Sequence, residues 1–272
     1  MEKELIVNKV FMIVGLGRSG TTIIGKKLSE YLGGIFLGEL IYFSSRGIEN
    51  KSLCGCGEYA SNCEFWKRII DSLSESEKRI LKEAEEDLRL KNIIKMKNFK
   101  KYKDLYERVH NLISDNKPLV DSSKIFPYAF MFRKNPNYVF IHIIRDPISV
   151  TSSMMSKKFI PELGKEEYLH NGGLIRTPIR WSLVNLLVKA FIPIKHTIFY
   201  EDFVSDHSRV FEEILKKGQD QDSISGHSLA GNPSRFGDQT IKAQTLKREF
   251  TKYEKILISL LSWPARKLIK YY

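Results

Sequence analysis

The stretch Val10-Phe11-Met12-Ile13-Val14-Gly15-Leu16-Gly17-Arg18-Ser19-Gly20-Thr21-Thr22 decides the fold. Its apolar first half reads as a short buried strand. The chain then breaks into a glycine-rich turn, and from Thr21 to Leu32 the apolar residues Ile24, Leu28 and Leu32 recur at helical spacing. Strand, tight glycine loop and helix start together make an anion site. Backbone N–H groups converge in such a loop, and the helix dipole adds partial positive charge.

The loop falls one residue short of the nucleoside-triphosphate pattern Gly-x-x-x-x-Gly-Lys-[Ser/Thr]. Gly15 and Gly20 hold the spacing, but Thr21 stands where the phosphate-binding lysine belongs. The loop carries its cation internally instead, at Arg18.

Strand and helix patterns alternate through much of the remaining chain. Gly33–Gly38 reads as a turn and a second strand, with Glu39 at its end. Pro118–Lys124 reads as a strand with a polar tip, and Phe126–Lys134 as a helix. Tyr138–Ile144 is an apolar strand that ends in Arg145-Asp146-Pro147. Pro147 suits the first helical position and Asp146 the N-cap, so a helix follows with Ser153 about two turns in. Thr177-Pro178 opens another helix, Pro193–Tyr200 is the last strand, and Glu201–Leu215 a helix. In a parallel sheet ligands bind at the carboxyl ends of the strands. Arg18, Glu39, Lys124 and Arg145 therefore share one rim. His142, inside an apolar strand, is a satisfied core residue.

Forty-four Lys and Arg face thirty-two Asp and Glu, a formal net charge of +12 that calls for anionic partners. Met1–Asn8 lacks a signal-peptide pattern and no apolar run is long enough to span a bilayer, so a cytoplasmic location is expected. The C-terminal run Tyr253–Tyr272 is a basic amphipathic helix suited to packing on the domain or to peripheral membrane contact. Three cysteines, Cys54, Cys56 and Cys63, are too few for a disulfide framework. A zinc site would need a fourth ligand, with histidines far off in sequence, so no metal is expected.

On these motifs the chain resembles the sulfotransferases that use 3′-phosphoadenosine 5′-phosphosulfate (PAPS), in the arginine-loop form seen in tyrosylprotein, carbohydrate and many microbial members. The resemblance runs from Val10 to Phe236. It implies a single α/β domain over 1–272 with a central parallel sheet flanked by helices, in a P-loop-like sulfotransferase fold. A cysteine-containing helical insert or cap would occupy about 50–115. It also implies that Gly17, Arg18, Ser19, Gly20, Thr21 and Thr22 hold the 5′-phosphosulfate, and that Arg145 and Ser153 hold the 3′-phosphate. Lys124 stabilises charge on the transferring group, and Gly38-Glu39 matches the family's catalytic base, with Asp121 a rival. Arg235, in His227-Ser228-Leu229-Ala230-Gly231-Asn232-Pro233-Ser234-Arg235-Phe236, would be a third cofactor cation. The acceptor is open among sugar, lipid, peptide tyrosine and small alcohol, and no nucleic acid is expected. Two other readings stand beside this one: a nucleotide-dependent P-loop kinase, and a basic nucleic-acid-binding module using the run Lys91–Lys103.

Overall fold

The computed structural model describes residues 8–89, 98–160, 165–167, 172–215, 226–230 and 246–271. Five parallel strands form the central sheet: β1 (Val10–Gly15), β2 (Ile35–Gly38), β3 (Leu119–Lys124), β4 (Tyr138–Ile144) and a last strand, Ile194–Phe199. A separate antiparallel hairpin, β5 (Lys158–Ile160) with β6 (Lys165–Glu167), precedes that last strand, which is therefore β7. The sheet order is β2-β3-β1-β4-β7. The apolar opening run thus becomes the middle strand. From β1 the chain first steps out to β2 and β3 on one side and then to β4 and β7 on the other. The loop after β1 lies at this reversal, where open α/β sheets form their ligand crevice.

All six residues of β1 are buried, because both sheet faces are covered. Phe11 and Ile13 point to one face, where they meet Ile24, Leu28 and Leu32 of α1 (Thr21–Leu32). Val10, Met12 and Val14 point to the other. The core on that side draws on α2 (Glu64–Asp71), α3 (Glu75–Asp87), α4 (Phe99–Ser114) and α5 (Phe126–Met131), through Trp66, Leu81, Tyr106 and Tyr128. Each such side chain, fully removed from water, stabilises the fold by about 1.5–3 kcal/mol. The register places Val14 beside Lys124 and Gly15 beside Ile143, so the loop starts level with the tips of β3 and β4.

α6 (Pro147–Met154) has Pro147 in its first turn. Asp146 is its N-cap and accepts from the Ser149 N–H at 2.8 Å. α7 (Arg176–Phe191) follows the hairpin. The helix expected over Glu201–Leu215 is two, α8 (Tyr200–Ser205) and α9 (His207–Leu215), because Asp206 leaves helical geometry and its carboxylate accepts from the Arg209 N–H at 3.0 Å to start α9. Phe203 and Phe211 of these helices complete the α1 face. The helix expected through Lys134 ends at Met131.

α10 (Lys252–Ile269) lies along α7, fastened by Ser182 donating to the Leu261 carbonyl at 2.9 Å. It buries Ile258, Ser262, Ala265 and Ile269 and exposes Tyr253, Ile256, Leu260, Trp263 and Leu268. Among the described residues no helix is long and apolar enough to cross a membrane. Most of the basic run from Lys91 lies outside the described residues, as does Arg235.

Candidate functional site

The loop between β1 and α1 turns on two residues with positive φ, Arg18 (73°) and Gly20 (86°). Gly20 is the N-cap of α1, and a Cβ there would collide with the Tyr200 ring. Ser19, Thr21 and Thr22 are buried beside it. The first-turn N–H groups of a helix have no partner within it, so this loop aims donors and dipole at the rim.

Arg18 is buried and turns toward α6. Its Nε donates to Ser153 Oγ at 3.1 Å, and a terminal nitrogen lies 3.4 Å from the Ser153 carbonyl oxygen. Arg145, at the tip of β4, donates to the Arg18 carbonyl at 2.9 Å and stacks over the Tyr200 ring at 4.6 Å. Its own carbonyl accepts from Trp181 Nε1 at 2.9 Å, which fixes the turn into α6. Arg145 Nε is buried and has no hydrogen-bond partner among the described residues. Burial, and then the neighbouring Arg145, brings Arg18 down to about 10; burial lowers Arg145 as well.

A third cation, the exposed Lys247, lies within the electrostatic reach of this pair. Lys247 lies below its ordinary range because of desolvation and then the fields of Arg18 and Arg145, although much of its side chain still reaches solvent. The segment carrying it is tied to α6. Ser152 Oγ donates to the Arg248 carbonyl at 3.1 Å and accepts from the Arg248 N–H at 2.8 Å. The adjacent serines thus divide their work, Ser153 to Arg18 and Ser152 to the 248 backbone. Lys247 carries no sequence signal beyond its charge. Tyr200, which the sequence offers only as the end of the last strand, supplies the ring on which Arg145 stacks.

On the other side of the loop, Glu39 follows β2 and Lys124 ends β3. Their side chains form an ion pair, and Glu39 is nearly buried. Lys124 has a φ of 51°, a left-handed conformation in a non-glycine residue, which turns it at the strand end. Tyr42, next to this pair, is pushed up to about 12 by burial and then by Glu39 and Glu85.

Asp121, the rival to Glu39, is fully buried. One carboxylate oxygen accepts from the Ser123 N–H at 2.8 Å and from its hydroxyl. The other accepts from Tyr128 at 2.9 Å and lies 3.4 Å from His110 Nε2. Ser123 Oγ in turn accepts from the Ile41 N–H at 3.0 Å. With its lone pairs engaged inside the core, Asp121 braces the turn after Glu39 and does not face the rim. His142 is a core residue whose Nε2 lies 2.8 Å from Asn185 Oδ1; burial pulls it down to about 4.

The premise behind expecting no metal does not hold. His227 reaches Cys54, Cys56 and Cys63, and the four ligand atoms all lie within 4.8 Å of one another.

A family model described as "Sulfotransferase family" matches residues 11–218. Among solved structures, the sulfotransferase domain from the Synechococcus PCC 7002 olefin synthase superposes with a TM-score of 0.52 at 16% identity. That alignment covers 97% of this chain and 94% of that one, a likeness of fold. No curated protein matches the chain.

Proposed function

The chain belongs to the sulfotransferase family, and on that premise we propose that it moves a sulfuryl group from PAPS to an acceptor hydroxyl or amine. One observation carries the reading. Arg18 and Arg145, both largely buried, meet beside a phosphate-type loop, Arg145 donating to the Arg18 carbonyl at 2.9 Å, and Arg145 Nε has no hydrogen-bond partner among the described residues. Buried cations crowded together are unfavourable unless an anion joins them. A donor with separated 5′ and 3′ anionic groups answers that charge. Thr21 in place of the loop lysine gives a triphosphate no equivalent support.

In this reading Gly17, Arg18, Ser19, Gly20, Thr21 and Thr22 hold the 5′-phosphosulfate, and Arg145, Ser153 and Lys247 hold the 3′-phosphate. The acceptor oxygen attacks sulfur in line while the bond from sulfur to the 5′-phosphate oxygen breaks. Glu39 takes the acceptor proton as that bond forms. Lys124, its ion-pair partner, would stabilise the charge that gathers on the leaving oxygen. The products are the sulfated acceptor and adenosine 3′,5′-bisphosphate, and no step calls for a bound metal. Sugar, lipid, peptide tyrosine and small alcohols are all acceptors this chemistry admits. α10, with Ile256, Leu260 and Trp263 exposed among Lys252, Lys255 and Lys267, suits contact with an anionic lipid surface.

The test is incubation of the full chain with sulfur-labelled PAPS and a cell extract, followed by identification of the labelled product. In parallel, adenosine 3′,5′-bisphosphate should raise the melting temperature more than adenosine 5′-phosphate or ATP at equal concentration. Equal shifts from all three would remove the case for two separate anion sites.

A further inference from the structure

The loop before α2 and the short segment 226–230 meet away from the cation cluster, and each brings soft metal ligands. We propose that Cys54, Cys56, Cys63 and His227 bind one zinc ion, and that this ion fastens the 226–230 segment against the sheet edge where Glu39 is held.

The spacings fit a tetrahedron. Thiolates about 2.3 Å from one zinc lie about 3.8 Å apart, and a thiolate and an imidazole nitrogen about 3.6 Å apart. The Cys63 and Cys54 sulfurs are separated by 3.8 Å. His227 Nδ1 lies 3.2 Å from the Cys63 sulfur and 3.9 Å from that of Cys54. The exposed Cys56 supplies the fourth atom within the same 4.8 Å set.

The backbone is arranged for this. Gly57 N–H donates to the Cys54 carbonyl at 2.9 Å, and Gly57 has a φ of 95°, which tightens the turn that brings Cys56 back over Cys54. Cys63 is the N-cap of α2, so the start of that helix fixes the third sulfur in place. His227 is fixed from outside the set. The Phe65 ring stacks on its imidazole at 5.2 Å, and Trp66 Nε1 donates to its carbonyl at 2.5 Å. Three sulfurs and one imidazole are a zinc donor set, and with all four positions filled by protein the site would be structural rather than catalytic. Each thiol would give up its proton on binding.

The ion's reach extends two residues further. Leu229 N–H donates to the Leu37 carbonyl at 2.9 Å, and Glu39 N–H donates to the Leu229 carbonyl at 2.8 Å. The segment thus adds a short parallel bridge to the open edge of β2. Gly38, at φ 74°, lets it approach, because a Cβ there would strike the Leu229 carbonyl. An ion on His227 therefore holds the strand that holds the Glu39 backbone. This second step, from the ion to catalysis, rests on the role proposed for Glu39; zinc binding itself does not.

Full-length protein, purified with reductant from zinc-supplemented culture and gel-filtered, should carry one zinc per chain by atomic emission. After removal of zinc, cobalt(II) alone should restore one ion per chain, with the strong visible bands of a tetrahedral thiolate site. His227→Ala and Cys63→Ser should lose the ion. Cys56→Ser, at the exposed position, should keep the circular dichroism of the parent while its metal exchanges faster. Wild-type protein that takes up neither zinc nor cobalt stoichiometrically, or that has a Cys54–Cys63 disulfide under the same reducing conditions, overturns the site. Removing zinc should lower turnover while bisphosphate affinity stays unchanged. Full turnover in the metal-free chain overturns the link to Glu39. A chain that holds one zinc but transfers no sulfuryl group confirms the site and refutes the proposed reaction.

Discussion

Replacing Arg18 with methionine should strengthen the ligand-free protein and weaken its grip on nucleotide, two effects of opposite sign from one side chain. Burial and Arg145 bring the Arg18 guanidinium from 12.5 to about 10. The folded environment thus disfavours the charged form by about 3 kcal/mol relative to the unfolded chain. At neutral pH the guanidinium is protonated in both states, so the whole penalty is present; it fades only as the pH climbs through about 10. Methionine removes the charge and keeps much of the volume. It forgoes the two contacts to Ser153, worth roughly 0.5–1.5 kcal/mol each. The positive φ is no worse for Met than for Arg. On balance the free variant should gain about 1 kcal/mol, or roughly 2–4 °C in melting temperature for a domain of this size.

Binding should move the other way. A charge-assisted contact to phosphate is worth about 1.5–3 kcal/mol, which weakens adenosine 3′,5′-bisphosphate roughly 10- to 150-fold. At a concentration one hundred times the parent's dissociation constant, the ligand stabilises the parent by about 2.7 kcal/mol and the variant by only about 0.3–1.4 kcal/mol. Thermal melts with and without bisphosphate, on both proteins, measure all four quantities. An Arg18→Met protein that melts below the parent when free, yet shows the same bisphosphate shift, would mean that Arg18 is a structural cation and that the loop is not an anion receptor.

Glu39→Gln should lower turnover by roughly 10²–10⁴-fold, the span of general-base catalysis, with bisphosphate affinity nearly unchanged; Asp121→Asn should instead lower the melting temperature through its core network, and loss of activity confined to Asp121→Asn would move the base. Lys247→Ala should weaken bisphosphate binding without moving the acceptor KM, and unchanged calorimetric binding would place the 246–250 segment outside the donor site. Stability should fall as the pH drops from about 6.5 toward 4, because the unfolded chain protonates its histidine before buried His142 does, to a total of about 3 kcal/mol. His142→Gln, which keeps a donor for Asn185, should flatten that slope in urea titrations at several pH values, and an unaltered slope would assign the acid sensitivity to other groups. Vesicles containing anionic lipid should co-sediment the wild-type chain but not Leu260→Glu/Trp263→Glu, and equal recovery of both would discount α10 as a lipid contact.

How much of this the sequence could tell depends on how local each signal is. The β1 loop, the Gly38-Glu39 turn and the Arg145-Asp146-Pro147 turn are each written within a few consecutive residues, because strand period, tight turn and helix cap are local physics. The parallel sheet then carries them to one rim without further instruction. Lys247 and His227 are different. Lys247 sits next to a backbone that Ser152 ties to α6, and nothing near it in sequence announces that tie. His227 lies 164 residues from Cys63 in sequence and about one hydrogen-bond length away in space. Asp121 misleads for the converse reason. Its place near a strand end looks like the rim, but side chains on a strand alternate between faces. Asp121 falls on the face that meets Tyr128 and His110, and its neighbour Ser122 on the one whose hydroxyl donates to the Gly38 carbonyl at 2.9 Å.

The two cations assigned to the transferring group share a backbone signature. Arg18 and Lys124 both have left-handed φ, at 73° and 51°. A non-glycine residue in that region carries steric strain of order 1 kcal/mol or more. Glycine would relieve it at either position, and glycine already occupies the positions around Arg18 where no side chain is required. Strain kept at two cation positions, Arg18 in the loop after β1 and Lys124 at the end of the neighbouring β3, follows from the direction each side chain must take. At Lys124 a strand continued in extended geometry would send the side chain above or below the sheet, and the left-handed turn redirects it at the strand end. The turn at Lys124 sets it against Glu39, and the one at Arg18 sets that residue against Ser153. The strain is therefore part of the proposed site, and it is offset by the buried sheet beneath, whose β1 residues are all buried.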